Sequence, residues 1–139
     1  MPDDVFARPL RGETLLPPGA DLVIAEWESP AGETLWIAPL HTHHEADEIW
    51  YVLEGELILH LDGEEIRLGP GDCGMAVRGV AHAYRNPGPG PLRYLLVMTR
   101  QVADLVAALH EGPRDPEALA TLFREYGSTY LGWLPAPGQ

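Results

Sequence analysis

The chain has 139 residues, of which 45% are hydrophobic and 22% are charged, a composition typical of a globular protein with one domain. Nine basic residues, all of them arginine, stand against twenty-one acidic residues and give a net charge of −12. This acidic balance argues against nucleic acid and anionic membranes as partners, and the absence of lysine excludes Schiff-base chemistry on a lysine side chain.

The N-terminal residues and the single cysteine bear on where the protein works. The first eight residues lack the basic and then apolar order of a signal peptide, and no apolar run approaches transmembrane length. We therefore expect a soluble cytoplasmic protein with no membrane partner. Cys73 has no second cysteine with which to form an intrachain disulfide, and we expect it to be a small buried residue.

Most of the chain reads as short strands. Residues 1–20 are rich in proline and glycine and are predicted to form an irregular N-terminal arm. Residues 21–100 carry strand-like runs separated by glycine and proline turns, which indicates an all-β sandwich or barrel. The runs that we assign as extended are 22–28, 33–38, 48–53, 57–61, 64–68, 73–77, 82–86 and 92–99.

The run at residues 57–61 is followed by a clear turn signal. Leucine recurs at every second position of residues 57–61, the pattern of a half-buried strand. Asp62 and Gly63 follow, and both residue types tolerate the positive φ of a type I′ turn. The sequence therefore predicts a hairpin whose second strand is 64–68.

The hydrophobic period changes after Arg100. Residues 102–109 place apolar side chains at the i, i+3, i+4, i+7 spacing of one helix face, and Gly112 with the following proline ends that helix. Asp115, with proline at the next position, is a helix start. We predict that residues 101–139 form a helical extension of the same domain, with two short helices and a proline-rich tail.

Four polar side chains are candidates for a metal site. His41 and His43 are two residues apart and share a face if they lie in a strand. Glu48 begins the next predicted strand and His82 begins a later one, and the interior of a barrel collects inward residues from several strands. Three imidazoles and a carboxylate suit a divalent transition metal. The alternative is that each histidine is a separate surface or core residue, the role that we expect for His44, His60 and His110.

Two ordered motifs span residues 41–86. The first reads His41-x-His43-x4-Glu48-x6-Gly55, and the second reads Gly71-x5-Val77-x-Gly79-x2-His82-x3-Asn86. They resemble the two signature motifs of the cupin superfamily, except that Val77 stands where the family has proline. The chain is similar in particular to small single-domain bacterial cupins, which are often described as quercetinase-like dioxygenases.

This resemblance implies a fold, a cofactor and an assembly. The fold would be a double-stranded β-helix, the cupin jelly-roll barrel, over residues 21–100, with the two short helices appended. The ligands of one divalent transition metal ion (Fe, Mn, Ni, Cu, Co or Zn) would be His41, His43, Glu48 and His82. Cupins commonly form dimers, so we expect a homodimer, with the helices packed on the outside of the barrel or at the subunit interface.

Several functions remain open at this point. The resemblance favours a metal-dependent oxidoreductase of the dioxygenase type, in which Glu48 acts as ligand and general base. The inward positions that would shape a pocket for a small, partly apolar organic substrate are Ile37, Trp50, Met75 and Tyr84. The alternatives are a non-catalytic binding or sensor protein and a metal-dependent isomerase or epimerase, because one fold supports many functions.

Overall fold

The computed structural model describes residues 5–137, which form two antiparallel sheets of five strands each and two helices. The elements, numbered along the chain, are β1 (Thr14–Leu15), β2 (Leu22–Ser29), β3 (Leu40–His43), β4 (Glu48–Glu54), β5 (Leu57–Leu61), β6 (Glu64–Leu68), β7 (Cys73–Ala76), β8 (His82–Arg85), β9 (Leu92–Thr99), α1 (Arg100–Glu111), α2 (Pro116–Glu125) and β10 (Ser128–Gly132). The first sheet has the order β1-β2-β9-β4-β7 and the second the order β10-β3-β8-β5-β6. The predicted all-β class with two C-terminal helices is confirmed.

The core lies between the two sheets, where alternate residues of each strand point inward. Burial alternates along the whole of β9, as the period of two requires. The side chains of Trp50, Val52, Leu57, Leu59 and Leu92 are completely inaccessible to solvent. Burial of each such side chain contributes about 1.5–3 kcal/mol, so this layer fixes the strands that carry the polar cluster described below.

The predicted hairpin is present. β5 and β6 pair from Leu57 opposite Leu68 to Leu61 opposite Glu64. Asp62 and Gly63 form the turn with φ values of 48° and 84°, both positive as a type I′ turn requires.

Two predictions about β7 fail for the same reason. Ala76 is buried, and a Cβ at Gly74 would lie 2.8 Å from the Leu59 side chain, so these two positions face the core. The period of two then directs Cys73 and Met75 to the outer surface. Cys73 is exposed, and Met75 is 46% exposed, so the expectation that Cys73 is buried was wrong.

Residues 33–38, predicted to be extended, are mostly irregular. The segment makes an isolated bridge from Trp36 to Arg85, and regular pairing begins only at Leu40. The indole Nε1 of Trp36 donates a hydrogen bond to the carbonyl oxygen of Pro135, at 2.9 Å. The tail therefore runs back along the segment that leads into β3.

Two strands lie where none was predicted. β1, inside the N-terminal arm, pairs with β2 through Thr14 opposite Ala25. β10, inside the C-terminal extension, pairs with β3 through Ser128 opposite His43. Both are edge strands with one neighbour. Their short sequences carry no strand pattern of their own, so their pairing depends on the neighbouring strand.

The end of α1 at Gly112 and the start of α2 after Asp115 are as predicted. The Thr99 hydroxyl accepts a hydrogen bond from the Val102 backbone N–H, and Gly112 caps the end of α1. The Asp115 carboxylate caps α2, with proline at the first helical position. Within residues 5–137 neither helix has the length and apolar character needed to cross a bilayer.

The helices pack on each other and across one end of the barrel. Leu105 of α1 contacts Leu119 and Phe123 of α2 in a small second core, and Tyr130 of β10 packs against it. The helices thus lie over the end of the barrel where the cluster of histidines is found.

Candidate metal centre

Three strands bring the four predicted ligands together. His41 and His43 occupy alternate inward positions of β3, Glu48 is the first residue of β4, and His82 is the first residue of β8. His41 and His82 lie directly opposite each other in the β3–β8 pair. All four side chains are buried, and one donor atom from each lies within 4.8 Å of every other.

The donor atoms crowd around one point. The Oε1 atom of Glu48 lies 3.1 Å from the Nε2 atoms of both His43 and His82. The Nε2 atoms of His41 and His43 are 3.2 Å apart. All three imidazoles therefore turn the same nitrogen toward the centre.

The outward nitrogens fix the tautomer of two of these rings. His41 Nδ1 lies 2.7 Å from the carbonyl oxygen of Pro39, and His82 Nδ1 lies 3.0 Å from that of Val80. A carbonyl oxygen only accepts hydrogen bonds, so each Nδ1 must carry the proton and donate it. The Nε2 atoms of both rings, when the rings are neutral, then present lone pairs to the centre.

The side-chain pKa values suit a ligand set. Burial, and then the neighbouring imidazoles of His82 and His43, lower the pKa of His41 to about 3, so its ring is neutral at pH 7. Burial alone would raise the pKa of Glu48, but the hydrogen bonds that His43 and His82 donate when Nε2 of each ring is protonated outweigh it and hold the pKa at about 2. The ionised Glu48 carboxylate thus favours a positive charge between the four side chains, either a proton on an imidazole or a metal ion.

The residues present fit a divalent transition metal. Imidazole lone pairs that point at one another have no donor to share, and a cation at their focus satisfies them together with the carboxylate. A set of three nitrogens and one oxygen is borderline in softness and is compatible with Fe, Mn, Co, Ni, Cu or Zn. The cluster consequently suggests one metal ion whose identity the ligands do not select.

A cavity of about 240 Å³ opens beside the donors. His41, His43 and Glu48 form its floor, and most of its wall is apolar and comes from the segment before β3 and from both helices. The apolar wall consists of Ile37, Ala38, Pro39, Val102, Leu105, Val106, Leu109, Leu119, Phe123 and Trp133. Tyr84, His110 and Arg114 add the polar atoms.

The predicted pocket residues divide into two pairs. Ile37 and Tyr84 line this cavity. Trp50 does not, because it is completely buried behind the site, with its ring centroid 5.5 Å from that of His82. Met75 does not line it either, because the alternation of side chains along β7 directs Met75 to the outer surface. Trp50 therefore packs behind the candidate ligand His82, and Met75 is not a pocket residue.

The remaining histidines lie outside the donor cluster. His44 is exposed, and its Nε2 lies 2.7 Å from the Thr129 hydroxyl. His60 packs edge-on to the ring of Trp36, with centroids 6.0 Å apart. His110 lies in the last turn of α1 and also lines the cavity.

Sequence reasoning missed the residues that the C-terminal extension contributes. Ser128 contacts His43, Phe123 covers His41, and Arg114 lines the cavity. In the sequence, Leu119, Leu122, Phe123 and Tyr126 follow the spacing of one apolar helix face, which predicts that this face is buried. No local pattern indicated that this face is buried against a metal-ligand cluster.

Comparisons with known proteins agree with this geometry. Residues 26–98 match the Cupin domain family. Quercetin 2,3-dioxygenase from Bacillus subtilis is 33% identical over 110 residues, which cover 79% of this chain and 27% of that enzyme. The oxalate-binding protein from Thermotoga maritima is 30% identical over 76 residues, covering 55% of this chain and 60% of that protein.

The chain thus spans less than two thirds of either of these two relatives. A crystal structure of a sugar phosphate isomerase of the cupin superfamily from Silicibacter pomeroyi has a TM-score of 0.52 and 29% sequence identity, covering 58% of this chain and 52% of that one. The family match extends over more than half of the 139 residues and contains all four candidate ligands. This chain belongs to the cupin superfamily.

Proposed function

We propose that this cupin is a metal-dependent oxidoreductase of the dioxygenase type that acts on a small, partly apolar organic substrate. The observation that carries the proposal is that His41, His43 and Glu48 form the floor of a cavity with a mainly apolar wall. A substrate in that cavity would reach the metal from the side that the protein donors leave free. The similarity to a quercetin 2,3-dioxygenase supports the same reaction class.

A bound divalent metal with four protein ligands would keep positions open for substrate, where it would polarise a substrate oxygen and, if redox-active, support chemistry with dioxygen. The chain's own residues provide the surroundings. Neutral imidazoles and one carboxylate leave a net positive charge at the site, which favours a substrate bound through an anionic oxygen. The apolar wall excludes water and so strengthens that attraction.

Glu48 is better suited to hold the metal than to move a proton. A general base works best when its pKa lies near the working pH, and the pKa of Glu48 is held at about 2. The role of Glu48 as a base stays a prediction, and a substrate that enters already ionised would not need it.

The size of the cavity limits what fits beside the donors. Its volume of about 240 Å³ is slightly below the range of roughly 300–1,000 Å³ that is typical of ligand pockets. A neighbouring cavity of about 620 Å³ shares Ile37, Tyr84, Val106 and His110 as lining residues. The reacting part of a larger aromatic substrate would lie in the inner cavity and the remainder in the outer one.

The test begins with elemental analysis of protein purified without added metal. Protein loaded with Fe, Mn, Ni, Cu or Co is then mixed anaerobically with a flavonol or a catechol, and oxygen is admitted while its consumption is followed. We expect about one metal per chain, a shift of the ligand absorption spectrum and oxygen uptake. The absence of any spectral shift with all five metals would overturn the proposal, and His43→Ala, which removes one donor, is the negative control.

One observation favours a second candidate, a binding protein for small carboxylates. Arg114 lines the same cavity and forms no salt bridge within residues 5–137. A guanidinium at the cavity and a metal at its floor would hold the two ends of a small dicarboxylate. Calorimetry with oxalate distinguishes the candidates, because tight binding without oxygen uptake or product would favour the binding protein.

A further inference from the structure

Ser128 stands next to the candidate metal centre although it lies thirty residues beyond the end of the family match. It is the first residue of β10 and is paired directly with His43 of β3. Its side-chain oxygen lies 2.7 Å from His43 Nδ1. Ser128 is only 1% exposed, so water does not compete for this contact.

A second contact fixes the direction of this hydrogen bond. The Ser128 hydroxyl also lies 3.4 Å from the backbone carbonyl oxygen of Tyr126, which can only accept. The hydroxyl therefore donates to Tyr126 and uses a lone pair to accept the Nδ1 proton of His43. This leaves the Nε2 lone pair of a neutral His43 directed at Glu48 and the other two imidazoles.

The three imidazoles are held in different ways. Pro39 and Val80, each two residues before the histidine that it contacts, hold His41 and His82 through backbone carbonyls. Any residue type supplies such a carbonyl. His43 instead depends on a side chain from β10, a strand that lies after both helices.

We propose that Ser128 is a positioning residue of the metal centre, and that the C-terminal extension is needed to complete that centre. Ser128 acts through His43 by fixing its tautomer and the orientation of its ring. Outer partners of this kind change metal affinity by about 10–100-fold. The inference rests on the metal site of the proposed function and not on the reaction.

The chain supplies a matched control. Thr129, the next residue of β10, makes the same kind of contact with His44, whose Nε2 lies 2.7 Å from the Thr129 hydroxyl. That pair is exposed and lies outside the donor cluster. Thr129→Ala therefore removes a hydroxyl–imidazole hydrogen bond from the same strand without touching the centre.

The experiment compares the intact chain with Ser128→Ala, Ser128→Thr and Thr129→Ala. Zn²⁺ affinity is measured by competition with a chelator, and the tautomer of His43 in metal-free protein is read from nitrogen-15 NMR of the imidazoles. We expect Ser128→Ala to weaken Zn²⁺ binding by about 10–100-fold and to mix the His43 tautomers. Ser128→Thr, which keeps the hydroxyl, should recover part of the affinity, and Thr129→Ala should leave it unchanged.

Several results would overturn the inference. Zn²⁺ affinity of Ser128→Ala within twofold of the intact chain, with an unchanged His43 tautomer, would show that the hydroxyl does no positioning. Equal losses in Ser128→Ala and Thr129→Ala would assign the effect to the strand as a whole. If Ser128→Ala does not fold, Ser128→Cys retains a weakly accepting side chain and should still lower the affinity.

Failure of this inference and failure of the metal site are distinguishable. An intact chain that takes up no Zn²⁺ refutes the metal site of the proposed function. The tautomer measurement still tests the action of Ser128 on His43 in that case, because it is made on metal-free protein. An intact chain that binds Zn²⁺ as tightly as Ser128→Ala, with the same His43 tautomer in both proteins, refutes only the role of Ser128.

Discussion

The imidazole of His41 lies against the phenyl ring of Phe123, with the ring centroids 5.2 Å apart and the planes inclined by 54°. One ring comes from strand β3 and the other from helix α2. Both are buried, so this contact joins the helical extension to the donor cluster.

Removal of the Phe123 ring should destabilise the protein and uncover His41. Phe123→Ala leaves a cavity at a fully buried position and is expected to cost about 3–5 kcal/mol of unfolding free energy. Arg124→Ala, on the exposed side of the same helix, should change it by about 0.5 kcal/mol or less. Urea unfolding of both variants measures the difference, and equal costs would contradict the packing described here.

Loss of one imidazole should remove most of the metal. His43→Ala is expected to lower the metal content of purified protein to a small fraction of that of the intact chain, because one strong ligand and its contact with Glu48 are lost. His44→Ala changes the adjacent exposed residue and should retain the metal. Elemental analysis measures both, and metal retained by His43→Ala would remove that residue from the ligand set.

Metal binding should raise the stability of the fold. A ligand that binds only the folded state adds about 2.7 kcal/mol when its free concentration is a hundred times its Kd. Thermal unfolding with and without added Zn²⁺ should therefore differ by several degrees. His43→Ala should lose this difference, and a full response in that variant would place the ion elsewhere.

Gly55 and Gly63 provide a matched test of a close backbone approach. Both have positive φ values, 82° and 84°, so an alanine is conformationally strained at either position. A Cβ at Gly55 would also overlap the carbonyl oxygen of Pro91, whereas a Cβ at Gly63 meets nothing within 4 Å. Gly55→Ala should thus cost at least about 2 kcal/mol more than Gly63→Ala in urea unfolding, and similar costs would contradict the close approach.

The metal-free protein should lose stability as the pH falls. The pKa of His41 is about 3 in the folded chain against an ordinary 6.5, so between these values the unfolded chain binds more protons. The pKa of Glu48, about 2 against 4.5, has the same sign and adds a loss at lower pH. The unfolding free energy should drop on the order of a few kcal/mol between pH 7 and pH 4.

Urea unfolding at several pH values measures this drop. His41→Gln removes one of the two titrating groups and should make the drop shallower, whereas His44→Ala should leave it as it is. An equal slope in His41→Gln and the intact chain would show that burial of His41 does not control the pH dependence.

The four donors could be predicted because His41 and His43 are near neighbours in the chain and because all four stand in two motifs that resemble the cupin signatures. The i, i+2 spacing fixes the shared face of His41 and His43, and Glu48 and His82 each open a strand. The hairpin at Asp62 and the helix caps were predictable because each depends on a few neighbouring residues.

The surroundings of the donors could not be predicted in the same way. Alternation shows that Cys73 and Met75 share a face, but it does not say which face is inward, and that depends on Gly74 meeting Leu59 across the barrel. Ser128 approaches His43 only because β10 pairs with β3 after two intervening helices. Contacts between such distant segments depend on the completed fold.

His41 and His82 are the only directly opposed residues in the pairing of β3 with β8, whereas β8 faces β5 through four pairs. Backbone hydrogen bonds from Ile37 to Tyr84 and from Gly79 to His43 flank this single pair. An ion bound to both histidines would link strand β3 to strand β8 through their side chains. The same ion that equips the site for chemistry would then add a side-chain link at a place where β3 and β8 form a single pair.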